Sequence, residues 1–169
     1  MRESGDDGEA TAGEQGARDM ATWAEFELAA PDLAAIGRRL LFRGDHGEAL
    51  LSTVRAALTP RLHPIGVGIV DGRLVAFITA SPKRRDLQQD GRYALHNHMD
   101  LSVPEEFMLR GHASSVADPL RSIVAAGWYF TPDETYELFS FDIDSALVGA
   151  RLDPDEWPPR YRSWTAGGS

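Results

Sequence analysis

Residues 60–91 read PRLHPIGVGIVDGRLVAFITASPKRRDLQQDG, and this stretch decides the fold. Asp71-Gly72 is a two-residue hairpin signal, because the tight turn that suits strand twist needs residues tolerant of positive φ. Before it, Arg61, His63, Ile65, Val67 and Ile69 alternate along a strand over 60–70 and so share one face. After it, RLVAFIT over 73–79 is the return strand. Pro64 within a strand marks an edge or a bulge, and Gly66 and Gly68 leave room for a close neighbour, backbone or ligand. Ser81-Pro82 then opens a short helix that Gly91 ends. The hairpin carries Thr79 and Ala80 back toward the strand end that holds Arg61. Arg61 is thereby expected near the start of a helix carrying Lys83, Arg84 and Arg85, with the Ser81 hydroxyl beside it. A helix start with a hydroxyl and several cations suits an anion, and a phosphate monoester best. The competing reading is a surface turn with solvated arginines.

Working outward, PDLAAIGRRLLFR over 31–43 predicts a helix with Pro31 in its first turn, Asp32 at the positive dipole end and Leu33, Ile36, Leu40 and Leu41 on one face. Strands are expected over 48–55, 92–99, 106–116 and 135–143. A helix is expected over 118–126, with Asp118 as its N-cap and Pro119 at its first position. Strands outnumber helices and do not alternate regularly with them, so the fold class is mainly β. The expected architecture is a six-stranded β-barrel with peripheral helices rather than a doubly wound parallel sheet.

Composition narrows the function. The chain has 169 residues, a formal net charge of −9 and no cysteine. That excludes disulfide scaffolds, thiolate metal sites and a cysteine nucleophile. The acidic balance argues against nucleic acid as partner, since phosphate backbones need a positive surface. No apolar run is long enough for a membrane helix and no secretory signal opens the chain, so a cytoplasmic protein is expected. Residues 1–20 hold six acids and two arginines with almost no large apolar groups, and are expected to be a disordered acidic tail before a single domain over 21–169. Sixteen of the 17 basic residues are Arg, which singles out Lys83, the lone Lys, and Asn97, the lone Asn.

The run STVRAALTPRLHPIGVGIVDGRLVAFITASPKRRDLQQDGRYALH over 52–96 resembles the core of the pyridoxamine 5′-phosphate oxidase-like split β-barrel flavoproteins. The likeness lies in a strand, a TPR-x-x-P strand, a DGR-L hairpin and a T-x-S-x-K turn, and it extends over about residues 33–145. The resemblance implies a homodimer binding FMN non-covalently in a groove between subunits and acting as a flavin-dependent oxidoreductase on a small-molecule substrate. It further implies that Arg61, Ser81 and Lys83 hold the cofactor phosphate, and Arg84, beside them on the cationic helix start, is a further cofactor-binding candidate. Leu62, His63 and Pro64, with Thr79 and Ala80, then run beside the ring and ribityl chain. The chain departs from the authentic oxidase in having Pro82 directly after Ser81, Glu106 where a Gln is usual, and RYRSWTAGGS in place of the substrate-binding end. It therefore looks like the shorter relatives, of which some bind FMN, some the 5-deazaflavin coenzyme F-420 and some haem.

Two further segments carry chemistry-bearing residues. In HNHMD over 96–100, His96 and His98 are expected on one strand face, with Asn97 on the other. They could ligate a metal only if His63 or His112 converged on them, and polar residues at a strand end are the simpler reading. In the C-terminal segment, Trp157, Arg160, Arg162 and Trp164 either cap a flavin groove or form a packed terminal strand. No nucleophile motif, P-loop or dinucleotide fingerprint occurs, so no catalytic side chain and no metal site are assigned.

Overall fold

In the computed structural model, which describes residues 19–102, 104–151, 153 and 155–168, the Asp71-Gly72 turn has φ of 49° and 69°. It joins β2 (Pro60–Val70) to β3 (Arg73–Ile78), paired antiparallel with Gly68 opposite Val75. β1 (Gly47–Val54) flanks β2 on its other side, followed by β4 (Arg92–His96), β5 (Glu106–Val116) and β6 (Glu137–Ala150). The long β6 closes the circle by pairing its first half with β3, Val75 opposite Ser140. The result is the expected six-stranded antiparallel barrel. A seventh strand, β7 (Arg160–Thr165), hangs on the second half of β6 outside the barrel.

Closure through β3 and β6 removes part of the sheet edge, a usual answer to an exposed strand ladder, while β7 remains an outer strand. Inside, Leu51, Val67, Leu74, Leu95, Leu109 and Phe141 pack as a continuous core. Two helices cover part of the barrel: α1 (Trp23–Ala29) and α2 (Pro31–Leu41). Their Trp23, Phe26 and Leu41 are fully buried with Phe107. The helix over 31–41 matches the sequence reading; α1 was not anticipated. Its signal is nonetheless in the chain, because Thr22 and Glu25 form a reciprocal capping box, Thr22 N donating to the Glu25 carboxylate at 2.7 Å and Glu25 N to the Thr22 hydroxyl at 3.3 Å.

Three boundaries differ from the sequence reading, one of them being β6, which runs Glu137–Ala150 where a strand over 135–143 was expected. α4 (Leu120–Ala126) begins one residue after Pro119, and Asp118 acts from outside it, accepting the Ser122 N–H at 3.1 Å. The strand expected over 92–99 stops at His96. Asn97 turns inward instead: its Oδ1 accepts the Phe107 N–H at 2.7 Å and its amide donates to the His98 and Glu105 carbonyls at 3.1 and 3.2 Å. A buried amide satisfied on three sides clasps the 97–106 loop and ends the strand.

The apolar run LVAFI, buried at every position, is explained within the chain. Leu74, Ala76 and Ile78 face the barrel core, while Val75 and Phe77 point outward into a second cluster with Val124 and Leu138. Trp128, Phe130 and Tyr136 complete that outer layer. The remaining helix, α3 (Pro82–Gln89), packs against the barrel with Asp86 and Leu87 buried. No helix among the described residues is long and apolar enough to cross a membrane. Of the acidic tail expected over 1–20, residues 1–18 lie outside the described residues.

Candidate functional site

Because side chains alternate along a strand, β2 presents Pro64 and Gly66 on its outer face while Ile65 and Val67 are buried. β3 likewise turns Phe77 outward just before Thr79. A groove of about 530 Å³ lies over this outer face. Pro64, Thr79 and Lys83 form one end of its lining, and Tyr129, Phe130 and Tyr136 supply an aromatic wall. His46, Glu48 and His98 line it as well.

The residues singled out from the sequence divide into those facing the groove and those supporting it. Lys83, in the first turn of α3, reaches across and donates from Nζ to the Pro64 carbonyl at 2.7 Å. Burial pushes its ammonium below the usual lysine pKa. Ser81 is the helix N-cap, its Oγ accepting the Arg84 N–H at 3.4 Å. That leaves the hydroxyl hydrogen to donate elsewhere. Thr79 lines the groove, and Ala80 is exposed in the turn that follows. Leu62 points outward and is 65% exposed.

Arg61 is placed differently from the expectation. It stands against the middle of α3, with its Nε 3.7 Å from the carboxylate of Asp86. Asp86 is buried and also accepts the Thr53 hydroxyl at 2.9 Å. Arg84 likewise turns away, donating to the Thr135 carbonyl at 2.8 Å and standing 3.6 Å from Glu137. It anchors the segment that carries the aromatic wall. His63 lies between these charges. Burial lowers its pKa most, the Lys83 charge lowers it further, and Asp86 opposes both. Its Nε2 is buried without a partner.

The aromatic wall was not read from the sequence, although half of its signal was. The neighbour that Gly66 and Gly68 accommodate is the segment Trp128-Tyr129-Phe130. A Cβ on Gly68 would stand 2.6 Å from the Trp128 ring, and one on Gly66 would overlap the Tyr129 hydroxyl. Tyr129 stacks on His46, ring centroids 4.1 Å apart and planes 17° from parallel. Burial and the nearby Glu48 raise the Tyr129 pKa, and the His46 Nε2 is 3.3 Å from Glu48. Arg121 holds the segment from behind through the Asp133 carbonyl at 2.9 Å.

His96 and His98 part company. His96 Nδ1 is 2.6 Å from the Asn97 carbonyl and its Nε2 is 3.4 Å from Glu106, whereas His98 lines the groove. Among the described residues, no three of His, Asp and Glu gather as a metal site. The C-terminal residues sit away from the groove: Trp164 packs on Phe26 at 5.0 Å, Arg162 is 4.0 Å from Asp32, and Trp157 lies under Arg151.

No protein-family model and no curated protein sequence matches the chain. Solved structures do. A heme binding protein from Mycobacterium smegmatis superposes with a TM-score of 0.58 at 15% identity, over 76% of this chain and 57% of that one. The chain thus spans little more than half the length of that protein. A general stress protein 26-related protein of the pyridoxinephosphate oxidase family from Clostridium acetobutylicum gives 0.55 at 13% identity, over 78% and 92%. HutZ, the heme storage protein of Vibrio cholerae, gives 0.55 at 15%, over 79% and 93%. The barrel is therefore the split barrel shared by this pyridoxinephosphate oxidase family protein and these heme-binding and heme-storage proteins.

Proposed function

We propose that the protein binds FMN non-covalently in this groove and serves flavin-dependent redox chemistry on a small molecule. The observation that carries the reading is Lys83. It is a half-buried ammonium that donates to a carbonyl, and among the described residues no carboxylate pairs with it. A desolvated cation without a counter-ion favours an anion, and two of its three donors remain for one. Ser81 adds a hydroxyl, and Thr79 and Pro64 extend the surface along which the rest of the cofactor runs. Arg61 and His63 act from behind the strand, Arg61 fixing α3 through Asp86. When bound, the flavin supplies the hydride or electron transfer, and the protein's part is to hold, orient and shield it. No side-chain nucleophile is needed and none is assigned. Leu62, on the same face of β2 as Pro64, is exposed, and the partner we propose for that face is a second copy of the chain.

Haem is the second reading. It is supported by His46 and His98, two histidines lining one groove, since imidazole is a common axial ligand, and by the haem proteins among the structural neighbours. Titration of the purified protein with FMN, riboflavin and hemin, followed by absorption and flavin fluorescence, separates the two. FMN binding tighter than riboflavin is the expected result. Equal affinity for both flavins, or a Soret shift with hemin and no flavin binding, overturns the flavin reading.

A further inference from the structure

The stack of His46 on Tyr129 has a feature that a mere surface contact lacks: it stands between two voids. His46, Glu48 and His98 line the 530 Å³ groove and also a separate cleft of about 110 Å³ beneath the end of α2, bounded by Leu40, Leu41 and Arg43. The imidazole is thus a partition. The two rings are anchored differently, although Tyr129 is itself 49% exposed. His46 follows the end of α2 in the bend that leads into β1, with 36% of its side chain exposed. Tyr129 is held: its hydroxyl sits over Gly66, its ring lies 5.3 Å from Trp128 and 5.0 Å from Phe130, and its segment is tied down by Arg84 and Arg121.

Aromatic faces prefer offset stacks, and a ring in an open groove stabilises any flat partner that reaches it. Here a small flat ring from the chain itself covers one face of an aromatic ring, in the same groove as an ammonium that has no carboxylate partner among the described residues. We infer that His46 is a placeholder: the ring of a planar, phosphorylated ligand takes its position on Tyr129, and the imidazole swings toward the cleft under α2. Tyr129 is then a ring-positioning residue that selects flat ligands, and His46 a competitor that sets the affinity. The inference rests on the reading of the groove as a cofactor site.

The test uses the full chain and four variants, Tyr129→Phe, Tyr129→Leu, His46→Ala and Trp157→Leu, titrated with FMN and with riboflavin. Tyr129→Leu should weaken both flavins about 2- to 12-fold, the range set by an aromatic pair, while Tyr129→Phe keeps parent affinity. His46→Ala should tighten both, and Trp157→Leu, remote from the groove, should change neither. In the ligand-free protein the imidazole C–H resonances of His46 should be shifted upfield by the Tyr129 ring, and saturation with FMN should release that shift. Weaker or unchanged binding in His46→Ala, or a ring-current shift that persists at saturation, overturns the placeholder role. A parent chain that binds no flavin counts against the functional reading instead. Hemin is then the planar probe for the same variants, and failure of hemin to release the His46 shift overturns the inference as well.

Discussion

The guanidinium of Arg61 stands 3.7 Å from a carboxylate, Asp86, that is only 4% exposed and already accepts the Thr53 hydroxyl. The two cations that flank His63 therefore have different duties. Among the described residues Lys83 has no such carboxylate, and it is left to face the groove. Removing Arg61, whose side chain is 31% exposed, leaves the buried Asp86 carboxylate without its cation, which is costly, whereas removing an ammonium aimed at a ligand costs the ligand.

Lys83→Ala should therefore weaken FMN binding about 10- to 150-fold, the equivalent of one charge-assisted bond of about 1.5–3 kcal/mol, with riboflavin affinity and melting temperature nearly unchanged. Arg61→Ala should lower the melting temperature and weaken both flavins together. Fluorescence titration paired with thermal unfolding reads both. A phosphate-selective loss in Arg61→Ala without loss of stability would place Arg61 on the ligand and not on α3.

Gly66 and Gly68 should differ under the same substitution. Gly68→Ala drives a methyl into the Trp128 ring inside the packed outer cluster. It should cost about 1–3 kcal/mol of stability, as overpacking does. Gly66→Ala meets the Tyr129 hydroxyl at the rim, so it should leave stability closer to the parent and disturb flavin binding more. Gly127→Ala, with nothing within 4 Å, is the control. Melting curves and flavin titrations on the three variants decide it; equal stability loss in all three would remove the socket argument.

Local pattern made most of the barrel legible. The Asp71-Gly72 turn, the alternation along β2 and the Ser81-Pro82 helix start are adjacent-residue signals, and the structure realises each. What the chain did not disclose is non-local. The outer face of LVAFI is covered by α4 and the Trp128–Tyr136 segment, some fifty residues further on in sequence, and nothing in the local pattern fixes where that segment returns. The same limit hid Asp86 from Arg61, since a helix residue 25 positions away becomes its partner only once α3 packs on the barrel. Asn97 shows the converse. Its rarity in this composition pointed to it correctly, but as a loop clasp and not as a strand-face residue.

Asn97→Ala should be strongly destabilising. The substitution strips the buried Phe107 N–H of its acceptor and frees the His98 and Glu105 carbonyls. A buried donor left unmade costs about 1–3 kcal/mol. Hydrogen exchange should locate the change, with protection lost at the Phe107 amide and in the 97–106 loop. Undiminished protection at Phe107 would mean that the Asn97 side chain does not hold that amide.

Stability should also fall on the acid side because of His63. Burial and the Lys83 charge hold its folded pKa below the ordinary 6.5, with Asp86 opposing. As pH drops through that value, the unfolded chain takes up a proton that the folded chain refuses. The unfolded state then binds more protons, so unfolding free energy rises with pH in this window and is lost as pH falls from about 6.5 toward the lower folded pKa. Above the window the group contributes nothing to the pH dependence. His63→Gln removes the titration and should flatten this limb of a melting-temperature profile while leaving the carboxylate limb at lower pH in place. Lys83→Ala should shrink the same limb in part, because it removes the charge that helps to depress His63. Bound FMN should act in the same direction, since a phosphate beside Lys83 offsets its charge and raises the His63 pKa. FMN should therefore stabilise the protein more at the acid end of the window than at its alkaline end. An unchanged limb in His63→Gln would assign the acid loss to another group and remove His63 from the electrostatics of the groove.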